Sequence, residues 1–91
     1  MLESAIERKL RAAVASSGGL CLKFTSPGYA GVPDRMVLMP GGRICFVELK
    51  APGCKPRPLQ LARHGQLRAL GFKVFVVDGT EQIAGVLDAL A

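Results

Sequence analysis

The segment from Gly31 to Gly53, GVPDRMVLMPGGRICFVELKAPG, constrains the fold more than any other. Two apolar runs, DRMVLM and RICFVELK, flank Pro40-Gly41-Gly42, and that arrangement is a hairpin signature. Loop length decides which residues face each other. Pro is favoured at the second position of a type I turn, and a following glycine can take the left-handed conformation that closes a three-residue loop. Such a loop pairs Met39 with Arg43, Leu38 with Ile44, Met36 with Phe46 and Asp34 with Glu48. Directly opposed residues share a face of the sheet, and the two-residue period adds Lys50 to it. A two-residue Gly41-Gly42 loop would set Asp34 opposite Leu49 and turn Glu48 to the other face. The sequence admits both loops, and the Pro-Gly-Gly order favours the longer one.

Around this hairpin the chain alternates helix and strand patterns. Residues 3–16 carry Ile6, Leu10, Ala13 and Val14 at helical spacing, and Ser16-Ser17-Gly18-Gly19 stops the helix. Leu20 to Phe24 alternates as a strand does. Thr25 to Pro33 is a turn-rich loop, long for so small a domain, and such loops often carry function. Prolines exclude regular structure from Ala51 to Pro58. Leu59 to Leu70 reads as a helix with a Leu59, Ala62, Leu67, Leu70 stripe, weakened at Gly65 by about 1 kcal/mol relative to alanine. Phe72 to Asp78 is apolar on both faces, which predicts a central strand. Thr80 is the expected cap of a last helix, Glu81 to Leu90. The order is therefore α-β-β-β-α-β-α. It predicts an antiparallel meander followed by a crossover helix and a parallel strand, hence a four-stranded mixed α/β sheet flanked by helices.

Ninety-one residues predict one domain spanning 1–91, and 49% apolar content excludes a disordered chain. No run approaches the roughly 18 apolar residues of a membrane span. The charged start MLESAIERKL lacks the pattern of a secretion signal, which predicts a cytoplasmic protein. Cys21, Cys45 and Cys54 form no CxxC pair and read as reduced thiols, and with one histidine, His64, a structural zinc site is not expected. The net charge of +5 draws the chain towards polyanions, of which nucleic acid is the commonest in cytoplasm.

In the longer-loop register two carboxylates lie roughly 5 Å apart, and burying them alone costs several kcal/mol. A proton on one of them or the ammonium of Lys50 relieves part of the repulsion, and a divalent cation relieves all of it. Mg²⁺ or Mn²⁺ prefers such oxygens, and the backbone carbonyl of Leu49 is a further candidate ligand. A cation there polarises a phosphate oxygen and eases deprotonation of water, while Lys50 orients or deprotonates that water or stabilises the charge that builds up.

These residues carry a resemblance. Pro33-Asp34 and Glu48-Leu49-Lys50 match the motif of the PD-(D/E)XK nuclease superfamily, whose core is α-β-β-β-α-β. More closely, GGLCLKFTSPGYAGVPDRMVL, GGRICFVELKAPG, PLQ and LGFKVFVVD resemble a stand-alone virus-type replication-repair nuclease (VRR-NUC) domain over nearly the whole chain. The resemblance implies a Mg²⁺- or Mn²⁺-dependent DNA endonuclease with Asp34 and Glu48 as metal ligands, Lys50 as a catalytic residue and Gln60 beside the site. It also implies a glutamate from the first helix, either Glu3 or Glu7, with Glu7 favoured as nearer the Leu10/Val14 stripe. Small members resemble Holliday junction resolvases in acting as homodimers, which suits symmetric cleavage of a four-way junction. A phage or bacterial origin and a part in DNA repair follow from the family name alone. The alternatives are a non-catalytic nucleic-acid-binding module that kept the fold, and a purely structural domain.

Lys23, Arg35, Lys55, Arg57, Arg63 and Arg68 are candidate phosphate contacts, and Tyr29 is either a stacking platform or a packing residue. His64, one turn beyond Gln60 on the same helix face, reads as exposed or phosphate-touching. No base-reading element stands out, so recognition of DNA shape and backbone is expected.

Overall fold

The computed structural model describes residues 2–91. The chain runs through α1 (Glu3–Ser16), β1 (Leu20–Lys23), β2 (Arg35–Met39), β3 (Arg43–Leu49), α2 (Pro58–Ala69), β4 (Lys73–Val77), a 3₁₀ turn (Thr80–Gln82) and α3 (Ile83–Ala89). The strands form one sheet in the order β1-β2-β3-β4. The first three are antiparallel neighbours, and β4 returns parallel to β3 after the α2 crossover.

The hairpin takes the three-residue loop. Met39 faces Arg43, Leu38 faces Ile44 and Met36 faces Phe46. Gly41 and Gly42 have φ of 87° and 75°, values that a side chain disfavours. The Arg43 Nε donates to the Pro40 carbonyl at 2.9 Å and closes the turn.

The sheet has two unlike faces. On one, Val37, Cys45, Val47, Leu49 and Val77 pack against Ile6, Leu10 and Val14 of α1 and against Ile83, Val86 and Leu90 of the C-terminal helix region. The other face carries Leu20 and Leu22 of β1, Met36 and Leu38 of β2, and Ile44, Phe46 and Glu48 of β3. There Phe46 packs between Phe24 and Phe72, tilted to the first and edge-on to the second, with ring centroids 5.3 and 5.7 Å away. α2 lies on this second face, where Gln60 and His64 are its buried residues. Among the described residues no helix is long and apolar enough to cross a membrane.

Three sequence expectations are corrected. β4 is an edge strand, not a central one; Val74 and Val77 are buried and Phe75 and Val76 half-buried because helices flank this strand on both sides. Thr80 opens a 3₁₀ turn and the α-helix begins only at Ile83. Gln82 folds back instead, accepting from the Asp78 N–H and donating to the Asp78 carboxylate, each at 2.8 Å. The leucine stripe on α2 is not its buried face: Leu59, Ala62 and Leu70 are exposed and Leu67 is half-buried. The helix turns its polar pair Gln60/His64 to the sheet because Glu48 waits there.

Two glycines bear opposite expectations. A Cβ on Gly19 would lie 2.5 Å from the Leu38 carbonyl oxygen, where α1 hands over to β1. A Cβ on Gly65, inside α2, would meet nothing within 4 Å. Gly65→Ala is expected to stabilise the fold by about 0.5–1 kcal/mol, and Gly19→Ala to destabilise it by about 1–3 kcal/mol. Urea unfolding of the two variants checks both signs.

Candidate active site

The register of β2 and β3 carries the chain one step beyond the ladder, to Asp34 and Glu48. Asp34 precedes β2, and its carbonyl accepts the Phe24 N–H at 2.8 Å, which holds it in line with the sheet. Its Oδ2 accepts the Leu49 N–H, also at 2.8 Å. Peptide groups along a strand point alternately to either side. The Lys50 N–H turns to β4, donating to the Val77 carbonyl. The Leu49 N–H and carbonyl therefore both face the Asp34 side. One oxygen of Asp34 is fixed by the backbone, and the Leu49 carbonyl emerges beside it.

Glu48 is 1% exposed. Its carboxylate is gripped from α2: the Gln60 Nε2 donates to Oε2 at 3.2 Å, and His64 Nε2 lies 3.2 Å from Oε1. Lys50 Nζ is 3.8 Å from Oε2. Burial, then hydrogen bonding and repulsion from Asp34, push the Glu48 carboxyl up from 4.5 to about 8, against the pull of Lys50; the charge of Glu3 adds to the rise. Gln60 does two jobs. Its Oε1 accepts the Arg57 N–H at 2.8 Å, which caps α2, and this orients the amide so that its nitrogen faces Glu48. A glutamate at position 60 would cap the helix equally well and then present a repelling oxygen to Glu48.

A cleft of about 300 Å³ opens at this end of the sheet, lined by Glu3, Glu7, Lys23, Phe24, Thr25, Asp34, Arg35 and Leu49. Both candidate helix glutamates reach it. Glu7 forms an ion pair with Arg35, and Glu3 is the one whose charge is felt at Glu48. Of the candidate phosphate contacts, Lys23, Lys55 and Arg57 are exposed, as is Arg68, whose guanidinium donates to the Val74 carbonyl on the β4 edge. Arg35 is held by Glu7. Arg63 stacks 3.7 Å from the Tyr29 ring centre and donates to the Ala30 carbonyl, while the Tyr29 hydroxyl donates to Gln66 Oε1 at 2.7 Å. These contacts pin the Thr25–Gly31 loop to α2, with Tyr29 still 44% exposed. His64 overturns its expectation outright: it is fully buried. Its spacing of four from Gln60 was the available signal, because a helix that turns one of these residues to the site turns both.

Nearly the whole chain has counterparts among known proteins. It is 49% identical over 88 residues to "Putative nuclease p44" of Acyrthosiphon pisum secondary endosymbiont phage 1, covering 97% of this chain and 94% of that one. A solved structure described as "VRR_NUC domain" superposes with a TM-score of 0.89 at 33% identity, covering 98% of this chain and 97% of the other. The chain belongs to the VRR-NUC family of nucleases. No family-wide sequence profile matches it. In this chain Asp34, Leu49, Glu48 and Lys50 meet at one sheet end, with Gln60 and His64 behind them.

The raised Glu48 gives a signed pH dependence. Folded Glu48 keeps a proton that the unfolded chain releases, so its contribution to stability is full below 4.5 and is lost as pH rises through about 8. His64 is shifted down by burial and then by Arg68 and Lys50, so it works in the opposite sense below its ordinary 6.5. Between pH 6.5 and 8.5 the melting temperature of the cation-free VRR-NUC protein should therefore fall, and Glu48→Gln should flatten that fall. Calorimetric scans of both proteins across this range check it.

Proposed function

We propose that this VRR-NUC chain, acting as one domain over residues 1–91, is a Mg²⁺- or Mn²⁺-dependent DNA endonuclease that cuts branched DNA such as a four-way junction, and that it works as a homodimer. The observation that carries the reading is the convergence of Asp34 and Glu48 beside Lys50 at the open end of the sheet. Among the described residues no three or more His, Cys, Asp or Glu side chains are arranged to hold an ion, so a closed site of the structural-zinc type does not fit. Two carboxylates and the Leu49 carbonyl do fit a hard cation that keeps positions for water and a substrate phosphate. When bound, such an ion polarises a phosphate oxygen and makes water easier to deprotonate.

The chain's own residues supply the rest. Asp34, and Glu48 once the ion displaces its proton, hold the negative charge that binds the ion. Lys50, 18% exposed at its side chain, sets a positive charge where the attacked phosphate becomes more negative. Lys23, Lys55 and Arg57 offer charge to the DNA backbone around the cleft, and the net charge of +5 favours encounter. Glu3 is better placed than Glu7 to complete the acidic set, since Glu7 is engaged by Arg35. A pure binding module would gain nothing from burying one carboxylate beside another where phosphates approach. The phage origin of the p44 relative supports a setting in a bacterial or phage-infected cytoplasm.

The homodimer has a candidate surface. α2 covers only part of its face of the sheet. Beyond it Leu20, Leu22, Ile44 and Phe72 are 59%, 45%, 36% and 39% exposed, and Leu38 lies between Leu20 and Ile44 by register. A second copy applying the same apolar face would bury it about a two-fold axis, as an isologous contact does.

A nicking assay on linear duplex, flap and four-way junction, with and without Mg²⁺, tests the reading. Cleavage should need the ion and favour the junction. Glu48→Ala and Lys50→Ala should each lower the rate by about 10²–10³-fold while most DNA binding remains. Normal cutting by both variants would end this mechanism, and binding without cleavage by the wild type would leave only a binding module. Sedimentation should show a dimer that Leu20→Glu with Ile44→Glu converts to a monomer.

A further inference from the structure

His64 is the most deeply buried polar side chain, and the chemistry proposed above does not use it. It is fully buried, its Nδ1 has no hydrogen-bond partner, and its Nε2 lies 3.2 Å from Glu48 Oε1. An unpartnered buried polar atom costs about 1–3 kcal/mol, and leucine at this helix position would avoid that cost. The neighbours decide which nitrogen carries the proton. An ionised Glu48 can only accept, so opposite it Nε2 donates, and the lone pair left at Nδ1 is a milder burden than an orphaned N–H.

We infer that His64 is a positioning residue which, donating from Nε2 to Glu48 Oε1 while Gln60 donates to Oε2, clamps the Glu48 carboxylate so that its remaining lone pairs face Asp34. Gln60 and His64 stand four apart on α2 and take one oxygen each. A carboxylate held at one oxygen can swivel about its Cγ–Cδ bond, and one held at both cannot. The clamp also explains why α2 shows the sheet a polar pair and leaves its leucines outside. It deepens the cation-site reading and rests on it for its purpose, although the hydrogen bond itself can be examined without any ion.

Two measurements test it. In the cation-free protein, at a pH high enough to ionise Glu48, long-range ¹H–¹⁵N spectra should show His64 protonated at Nε2 and bare at Nδ1, with ring nitrogen shifts that change in Glu48→Gln. A ring protonated at Nδ1, or one indifferent to Glu48→Gln, would overturn the inference. Mn²⁺ titration followed by electron paramagnetic resonance then reads the purpose. His64→Leu should stay folded and lose about 10–100-fold in Mn²⁺ affinity. His64→Gln, which restores an N–H at similar reach, should recover most of that loss. Affinity within twofold of wild type in a folded His64→Leu protein, or a His64→Gln protein no better than His64→Leu, would refute the clamp. A wild type with the expected tautomer that takes up no Mn²⁺ would instead refute the cation-site reading and leave the Glu48 hydrogen bond standing.

Discussion

A carboxylate almost sealed from water, set across a strand pair from a second carboxylate, is the most unfavourable arrangement in this fold. Glu48 meets Asp34 there because a three-residue hairpin loop fixes the register of β2 and β3. Slipping the register by one residue would send Glu48 into the α1 layer and dissolve the pair. What surrounds Glu48 reads as a response to that repulsion. Gln60 donates to one of its oxygens, His64 Nε2 lies 3.2 Å from the other, Lys50 stands 3.8 Å away, and the group itself is pushed up to about 8. Together these reduce the repulsion without abolishing it, and on the proposed reading a bound cation would relieve the remainder.

The two layers of helices divide the labour. α1 and α3 build a dry apolar core against one face. α2 serves the other face, and its placement is regulated by contacts well away from the carboxylates. The Thr25–Gly31 loop is fastened to it by Tyr29, Arg63 and Gln66. Gly31, at φ 91°, lets the loop pass so close that a Cβ would sit 2.9 Å from Leu59. The same loop leads into Asp34, so one fastening positions both the helix that holds Glu48 and the strand that brings Asp34. Stability on one face and chemistry on the other can thus vary with little interference.

Much of this was legible from residue order. The hairpin, the α-β-β-β-α-β-α succession and the shared face of Asp34, Glu48 and Lys50 follow from turn chemistry and two-residue periodicity. Local patterns failed where tertiary context outweighed them. Phe72 to Asp78 is apolar on both sides because helices flank it, a feature an edge strand can share with a central one. The α2 leucines suggested a buried stripe, yet the sheet beneath holds a carboxylate that prefers donors to methyl groups. His64 was unreadable alone, since an exposed and a buried histidine look the same in a sequence. The helix glutamate stayed open because Glu3 and Glu7 differ only in what lies opposite, and Arg35, opposite Glu7, comes from a strand far along the chain.

The central claim is that the Asp34–Glu48 pair is built to capture a hard cation. Anomalous diffraction from crystals soaked in Mn²⁺ tests it directly. The account predicts one strong peak within bonding distance, about 2.0–2.3 Å, of an Asp34 oxygen, a Glu48 oxygen and the Leu49 carbonyl. A soaked crystal with no peak there, or with the ion bound elsewhere while Asp34 and Glu48 stay unligated, would contradict it.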